Sequence, residues 1–229
     1  MIDQTLLAPA ATEEQVAEFC RKALPYGFAS VCIQPAFVRT ASRLLDGSGT
    51  KVCTVIDFPH GAGGEAAKCA EARCAIADGA DELDFVVSLA LVKAHDWAAL
   101  EAELSRVERA VREAAAGRPV LTKLILETCL LSDEEIVETC RAAQKAQFDF
   151  VKTSTGFASP KAADGTPLAN GATVHAVRLM RQTVGEAMGV KASGGIHTTE
   201  QALALVQAGA SRIGASAGAA LVDGLAADA

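Results

Sequence analysis

The sequence predicts an α/β protein folded as a (β/α)8 TIM barrel, on three observations. Short β-branched or apolar runs alternate with longer helical patterns from end to end, the mark of successive βα units around a parallel sheet. Eight such runs fit into 229 residues, about 29 residues per unit, compact but within the range of an eight-unit barrel. Polar residues end many of the runs, whereas an open doubly wound sheet would gather them at one switch point, and no Gly-x-Gly-x-x-Gly follows the first run. Composition does not break anywhere, so residues 1–229 read as one domain.

The first strand is expected at 2–6, before a helix opened by Thr12 and Gln15 as a capping box and stopped near Gly27. Strands at 30–34 and 51–57 follow, and Gly79 stops the next long helix ahead of a fourth strand at 82–87. A helix from 97 to 116 carries Leu100, Leu104, Val107 and Val111 at helical spacing, a core-facing stripe. The fifth strand, 121–127, leads to a capping box of Ser132 and Glu135, and the sixth is 148–154. Residues 158–170 contain two prolines and a glycine and read as a long irregular connection, a length typical of lids and binding loops. A seventh strand at 190–193, a helix capped by Thr198 and Gln201 and ending near Gly209, and an eighth strand at 212–215 complete the series.

Half of the residues are hydrophobic and 21% are charged, which excludes disorder, and a formal net charge of −7 argues against a nucleic-acid partner. No run approaches the ~18 apolar residues of a membrane span, and Met1-Ile2-Asp3 begins no secretory signal, so a cytoplasmic protein without a membrane partner is expected. Seven cysteines form no Cys-x-x-Cys pair and none lies near a histidine, which excludes a zinc pattern and reads as reduced thiols. Except for Cys32, they are expected to be small buried hydrophobes.

Alternation along each strand puts Asp3 with Thr5, Cys32 with Gln34, Asp84 with Val86, Lys123 with Glu127, Lys152 with Ser154, and Lys191 with Ser193 on the barrel interior. Leu83, Phe85, Leu124, Leu126, Val151 and Val190 fall on the helix side. Three lysines and several carboxylates inside one barrel must pair, shift their protonation or line a solvated cavity. They could form an internal ion-pair network, but a site at the C-terminal mouth of the barrel accounts for them better. Moving a lysine pKa from near 10.4 to about 7 raises its neutral, nucleophilic fraction roughly a thousandfold. A second ammonium about 6 Å away supplies about 2.8 kcal/mol of that shift at an effective dielectric near 20. Lys152 and Lys191, on neighbouring strands, suit this relation, one attacking a carbonyl to form a Schiff base while the other tunes it. Parity leaves open which does which.

At these residues the sequence resembles the deoxyribose-phosphate aldolases, class I aldolases on a TIM barrel. The matching blocks run in order, one per strand: I-D-Q-T-L-L from Ile2, V-C-I-Q-P from Val31, K-V-C-T-V-I-D-F-P-H-G from Lys51, A-D-E-L-D-F-V-V from Ala80, K-L-I-L-E-T from Lys123, F-V-K-T-S-T-G-F from Phe150, V-K-A-S-G-G-I from Val190 and R-I-G-A-S from Arg212. The resemblance implies reversible cleavage of 2-deoxyribose 5-phosphate into acetaldehyde and glyceraldehyde 3-phosphate. It implies Lys152 as the Schiff-base lysine, Lys191 as the second lysine and Asp84 as the proton relay, with Lys123 and Asp3 as supporting polar residues. Thr5 and Cys32 face the same interior, and Gly194, Gly195, Gly214 and Ser216 lie where a phosphate would meet backbone N–H groups. No metal and no organic cofactor are implied, since the protonated imine is itself the electron sink. The partners are a sugar phosphate and aldehydes; a homo-oligomer is compatible with the sequence. The other readings are a related aldolase taking an unphosphorylated aldehyde and a non-catalytic sugar-phosphate-binding barrel.

The chain departs from the family pattern at Gln4, which replaces a histidine and by parity faces the helices. His197 stands where an arginine often follows G-G-I, and Ala217 where a second serine often stands, both at the phosphate end. The 158–170 segment is unusually long, and the terminal Ala-Ala-Asp-Ala lacks the tyrosine some members carry. His60 reads as a loop hydrogen-bonding residue, and His95 and His175 as solvent-facing.

Overall fold

Eight parallel strands close into a barrel in sequence order, with β8 pairing back onto β1. They are β1 (Ile2–Leu6), β2 (Ser30–Ile33), β3 (Lys51–Ile56), β4 (Glu82–Val86), β5 (Leu121–Ile125), β6 (Phe150–Lys152), β7 (Gly189–Ser193) and β8 (Arg212–Ala215). The structure, a computed structural model, describes residues 1–162 and 164–227. The tyrosine-free tail ends on Asp228 and Ala229, outside the described residues.

The surrounding helices are α1 (Glu13–Ala23), α2 (Val38–Leu45), α3 (Gly64–Asp78), α4 (Leu89–Lys93), α5 (Trp97–Ala115), α6 (Asp133–Lys145), α7 (Val174–Val184), α8 (Thr199–Gln207) and α9 (Gly218–Ala227). The expected capping boxes form at Thr12, Ser132 and Thr198, each satisfying two N-terminal backbone donors. Leu100, Leu104, Val107 and Val111 of α5 are all buried in the main apolar core, each contributing about 1.5–3 kcal/mol of apolar burial. Gly79 closes α3 at φ 106°, where a Cβ would stand 2.4 Å from Ser42 Oγ, so both conformation and space demand glycine.

The helix-side residues assigned by alternation, Leu83, Phe85, Leu124, Leu126, Val151 and Val190, are at most 1% exposed and belong to the main apolar core. A second, smaller cluster of Leu7, Cys32, Cys53 and Val55, capped by Phe58, packs separately. The barrel therefore has an apolar shell outside the sheet and a mixed polar and apolar filling within it.

Several expected boundaries move, and the backbone explains why. β3 and β5 stop at Ile56 and Ile125 because Asp57 (φ 54°) and Glu127 (φ 59°) turn left-handed. Glu127 therefore does not share the interior with Lys123, and the alternation that pairs them fails two residues past the strand. β2 ends before Gln34, which caps a 3-10 turn and donates to Leu7 O at 2.9 Å. β6 begins only at Phe150, since Gln147 is left-handed (φ 67°) and Phe148 packs edge-on against Phe85. The short α4 was not expected. Segment 158–170 is not wholly irregular: Lys161 bridges Pro167 in antiparallel fashion, with Leu168 N donating to Pro160 O at 2.9 Å.

Two cysteine expectations are corrected: Cys74 is exposed and Cys129 partly so, because both sit on outward or loop positions. His60 is exposed, and its ring makes no hydrogen bond among the described residues, contrary to its expected role. His95 and His175 are solvent-facing, beside Glu135 and Asp133. No helix among the described residues is long and apolar enough to cross a membrane.

Candidate active site

The register sets Asp84 beside Lys123 and Lys152 beside Lys191, so residues far apart in sequence meet inside the barrel. Arg212, on the first residue of β8, reaches Asp3 Oδ1 at 2.5 Å and Glu82 Oε2 at 3.3 Å and lies over the Phe150 ring. Lys123 Nζ donates to Glu82 Oε2 at 2.6 Å and Asp84 Oδ1 at 2.8 Å. Lys191 Nζ pairs with Asp3 Oδ2 at 2.5 Å and Asp84 Oδ2 at 2.8 Å. Among the described residues Lys152 Nζ has a single carboxylate partner, Asp84 Oδ2 at 2.9 Å.

Burial in so dry a place would favour neutral groups, but the mutual fields reverse it. Burial alone would push the Asp84 carboxyl up; the ammoniums of Lys123, Lys152 and Lys191 together outweigh it and hold Asp84 well below the usual carboxylate range. Asp3 is lowered in the same way, against burial, by Lys191, Lys123 and Arg212. Burial likewise opposes the Lys191 ammonium, yet Asp3 and Asp84 raise its pKa above that of free lysine. Lys123 is raised well above the ordinary value, Asp84 being the chief opponent of its burial. Three carboxylates thus face three lysines and one arginine. The cluster balances when one lysine nitrogen is neutral, and Lys152 has the fewest partners to lose.

Above the cluster opens a cavity of about 200 Å³ at the C-terminal mouth, with Lys152 and Lys191 among its lining residues. Thr5, Leu7, Thr155 and Phe157 form part of its wall, and Phe157 meets Phe58 edge-on at 5.2 Å. The opposite end is made by Gly194, Gly195, His197, Gly214 and Ser216, just ahead of the N-terminus of α9. Gly194 (φ 87°) lies so close to Gly171 that a Cβ would come within 2.9 Å of its Cα, which brings two backbone segments together at the rim. Gln4, facing outward as its parity requires, donates to Ser216 O at 3.1 Å and ties this loop to β1.

Of the residues singled out by sequence, Lys152, Lys191, Thr5, Gly194, Gly195, Gly214 and Ser216 line the cavity. Asp84 is wholly buried beneath the two lysines that line it. Asp3, Lys123 and Cys32 are also wholly buried and are not among the lining residues; they lie beneath the cavity. Alternation carries each of them into the interior, but too deep to reach its opening. Glu82 and Arg212 were missed although they share lumen parity with Asp84 and Gly214; counting charges over the whole strand, not only its C-terminal end, would have found them. Thr155 and Phe157 lie in loop, where alternation gives no signal.

Two groupings among the described residues have metal-ligand spacing, Cys32–Cys53–Asp84 and Asp3–Cys53–Glu82. Lys123 Nζ stands 3.5 Å from Cys53 Sγ and already occupies Asp84 and Glu82, so a dication entering either group would meet an ammonium. The geometry suits imine chemistry instead: an amine at the cavity floor, a fixed neighbouring cation, and a buried carboxylate joining them.

A family model described as DeoC/LacD family aldolase matches residues 1–226. The chain is 47% identical over 228 residues to the deoxyribose-phosphate aldolase of Clostridium perfringens, covering 100% of this chain and 95% of that protein. It is 48% identical to deoxyribose-phosphate aldolase 1 of Bacillus licheniformis, covering 100% of this chain and 96% of that one. Among solved structures, a putative deoxyribose-phosphate aldolase from Coccidioides immitis superposes with a TM-score of 0.87 at 37% identity, over 98% of this chain and 84% of that one. The tetrameric deoxyribose phosphate aldolase of Aeropyrum pernix gives 0.86 at 33% identity, over 100% and 90%.

Proposed function

Because the chain belongs to the DeoC/LacD family of aldolases, we propose that it is a deoxyribose-phosphate aldolase whose Schiff base forms on Lys152. It is a carbon–carbon lyase, cleaving 2-deoxyribose 5-phosphate reversibly to acetaldehyde and glyceraldehyde 3-phosphate. One observation carries the assignment of the lysine: Lys152 reaches the cavity with a single carboxylate partner, whereas Lys191 is held between two.

Lys152 Nζ is the amine the cluster can present as a neutral nucleophile. Its attack on the C1 carbonyl gives a carbinolamine, and loss of water gives a protonated imine. The C3 hydroxyl gives up its proton as the C2–C3 bond breaks; its oxygen becomes the aldehyde of glyceraldehyde 3-phosphate, and the bonding pair moves into the enamine. Protonation at C2 and hydrolysis release acetaldehyde and return the amine. Asp84 is held ionised by the Lys123 and Lys191 ammoniums while Lys152 acts as the free amine, and it relays protons through water to and from the carbinolamine; the protonated imine then restores a cation beside it. Asp3 and Lys123, beneath the floor, hold Lys191 and Asp84 in place, and Cys32 packs the same floor. Thr5 lies at the wall, and the phosphate is received by backbone groups of Gly194, Gly195 and Gly214 with Ser216, near the positive end of α9.

Borohydride reduction in the presence of acetaldehyde tests this reading. Intact mass should rise by one ethyl group and peptide mapping should place it on Lys152. An adduct on Lys191 or Lys123, or none, would overturn it.

A further inference from the structure

Glu127 is a buried carboxylate at the mouth of the barrel that the chemistry above does not use. It is 2% exposed, and no lysine, arginine or histidine pairs with it among the described residues. Its left-handed backbone (φ 59°) lets the chain bulge while staying bonded to β6, Leu126 N to Lys152 O and Thr128 N to Thr153 O, both at 2.9 Å. The bulge turns the side chain away from Lys123 and over Thr155. There the carboxylate accepts from Thr155 N, at 3.3 Å to each oxygen, from Cys129 Sγ at 3.7 Å, and from the Thr155 hydroxyl in a short contact.

Thr155 lines the cavity, and its hydroxyl has one proton and two lone pairs. The proton is committed to Glu127. One lone pair is taken by Phe157 N at 3.0 Å. What remains for the cavity is a single acceptor position.

We propose that Glu127 is a positioning residue that fixes the Thr155 hydroxyl as an obligate acceptor, so that the pair selects substrates carrying a hydroxyl donor between the imine carbon and the phosphate. The inference rests on the aldolase reading above and adds a determinant of acceptor choice to it. A carboxylate suits this task because it can only accept, whereas a neutral partner leaves the hydroxyl free to rotate. The burial of Glu127 without a counter-ion is compensated by its hydrogen bonds.

The test runs aldol addition of acetaldehyde to two acceptors, glyceraldehyde 3-phosphate and its analogue with hydrogen in place of the hydroxyl. In Glu127→Gln the amide oxygen is drawn to the Thr155 N–H and the Cys129 thiol, so the amide NH2 faces the Thr155 oxygen and turns its proton toward the cavity. The kcat/KM for the hydroxylated acceptor should then fall about three- to tenfold, the worth of one neutral hydrogen bond. That for the deoxy acceptor should change by less than about twofold. Thr155→Val should erase the same discrimination, and adding Glu127→Gln to it should cost nothing further in the ratio. Acetaldehyde trapping on Lys152 should be intact in all three variants. Wild-type discrimination in Glu127→Gln, or an equal loss on both acceptors, overturns the proposal as a merely structural role. Failure of trapping in the unsubstituted enzyme instead overturns the Lys152 reading, so the two failures are distinct.

Discussion

Lys152 and Lys191 donate to the same oxygen, Asp84 Oδ2, at 2.9 and 2.8 Å. Their nitrogens are therefore less than about 6 Å apart, a separation at which two like charges cost about 2.8 kcal/mol at an effective dielectric near 20. The cluster resolves this asymmetrically. Asp3 gives Lys191 a second partner and keeps it charged, while Lys152 depends on Asp84 alone.

Replacing Lys191 by leucine removes the charge that makes an ammonium at Lys152 costly. With one cation fewer the remaining three balance the three carboxylates, so the cluster retains every proton it has. kcat/KM should fall about ten- to a hundredfold, the worth of part or all of that repulsion of about 2.8 kcal/mol. Lys191→Arg keeps the charge but cannot place it at both Asp3 and Asp84, and should lose less. Near-normal kcat/KM in the leucine variant would show that Lys191 acts otherwise.

Asp84→Asn is nearly isosteric but offers one acceptor oxygen where the carboxylate serves three lysines. Turnover should drop at least about a hundredfold, the low end for general acid–base catalysis. Steady-state kcat decides the point, with near-normal turnover counting against the relay.

Glu108, on α5, is 4% exposed and shares the Thr122 hydroxyl with Asp149, whose Oδ2 lies 3.3 Å from Thr122 Oγ1. One hydroxyl proton cannot serve two carboxylates, and burial pushes Glu108 up to about 7. The folded value lies above the unfolded one, so the stability this group contributes is complete below about pH 4.5 and lost as the pH rises through 7. Glu108→Gln retains a donor and should be near neutral at pH 5. At pH 8 it should stabilise the protein, by an amount on the order of 1–3 kcal/mol. Urea midpoints at the two pH values measure this, and an equal shift at both would discount the titration.

His197 and Ser216 both line the cavity, at the end proposed to receive the phosphate. His197→Arg should raise the ratio of kcat/KM for deoxyribose 5-phosphate over deoxyribose by about two- to fivefold, as expected of one exposed charge pair. A ratio unchanged by the substitution would assign phosphate recognition to the backbone groups alone.

The order of eight βα units, the apolar helix-facing set and the inward direction of Asp84, Lys152 and Lys191 were legible without coordinates, because alternation and capping are local properties of the chain. The same locality explains the errors. Alternation holds only while the backbone stays extended, so it misdirected Glu127, two residues beyond β5, and gave no signal for Thr155 or Phe157. It also has no depth: Asp3, Cys32 and Lys123 point inward like Lys152 but lie below the reach of the cavity. Only barrel closure, which pairs Asp3 with Gly214 across the chain's two ends, decides which carboxylate stands beside which lysine. Electrostatic balance depends on distances among all seven charged groups at once. The proposed choice of Lys152 over Lys191, which parity left open and only the family resemblance implied, therefore takes its physical support from the tertiary structure, while the presence of two candidate lysines on adjacent strands belongs to the sequence.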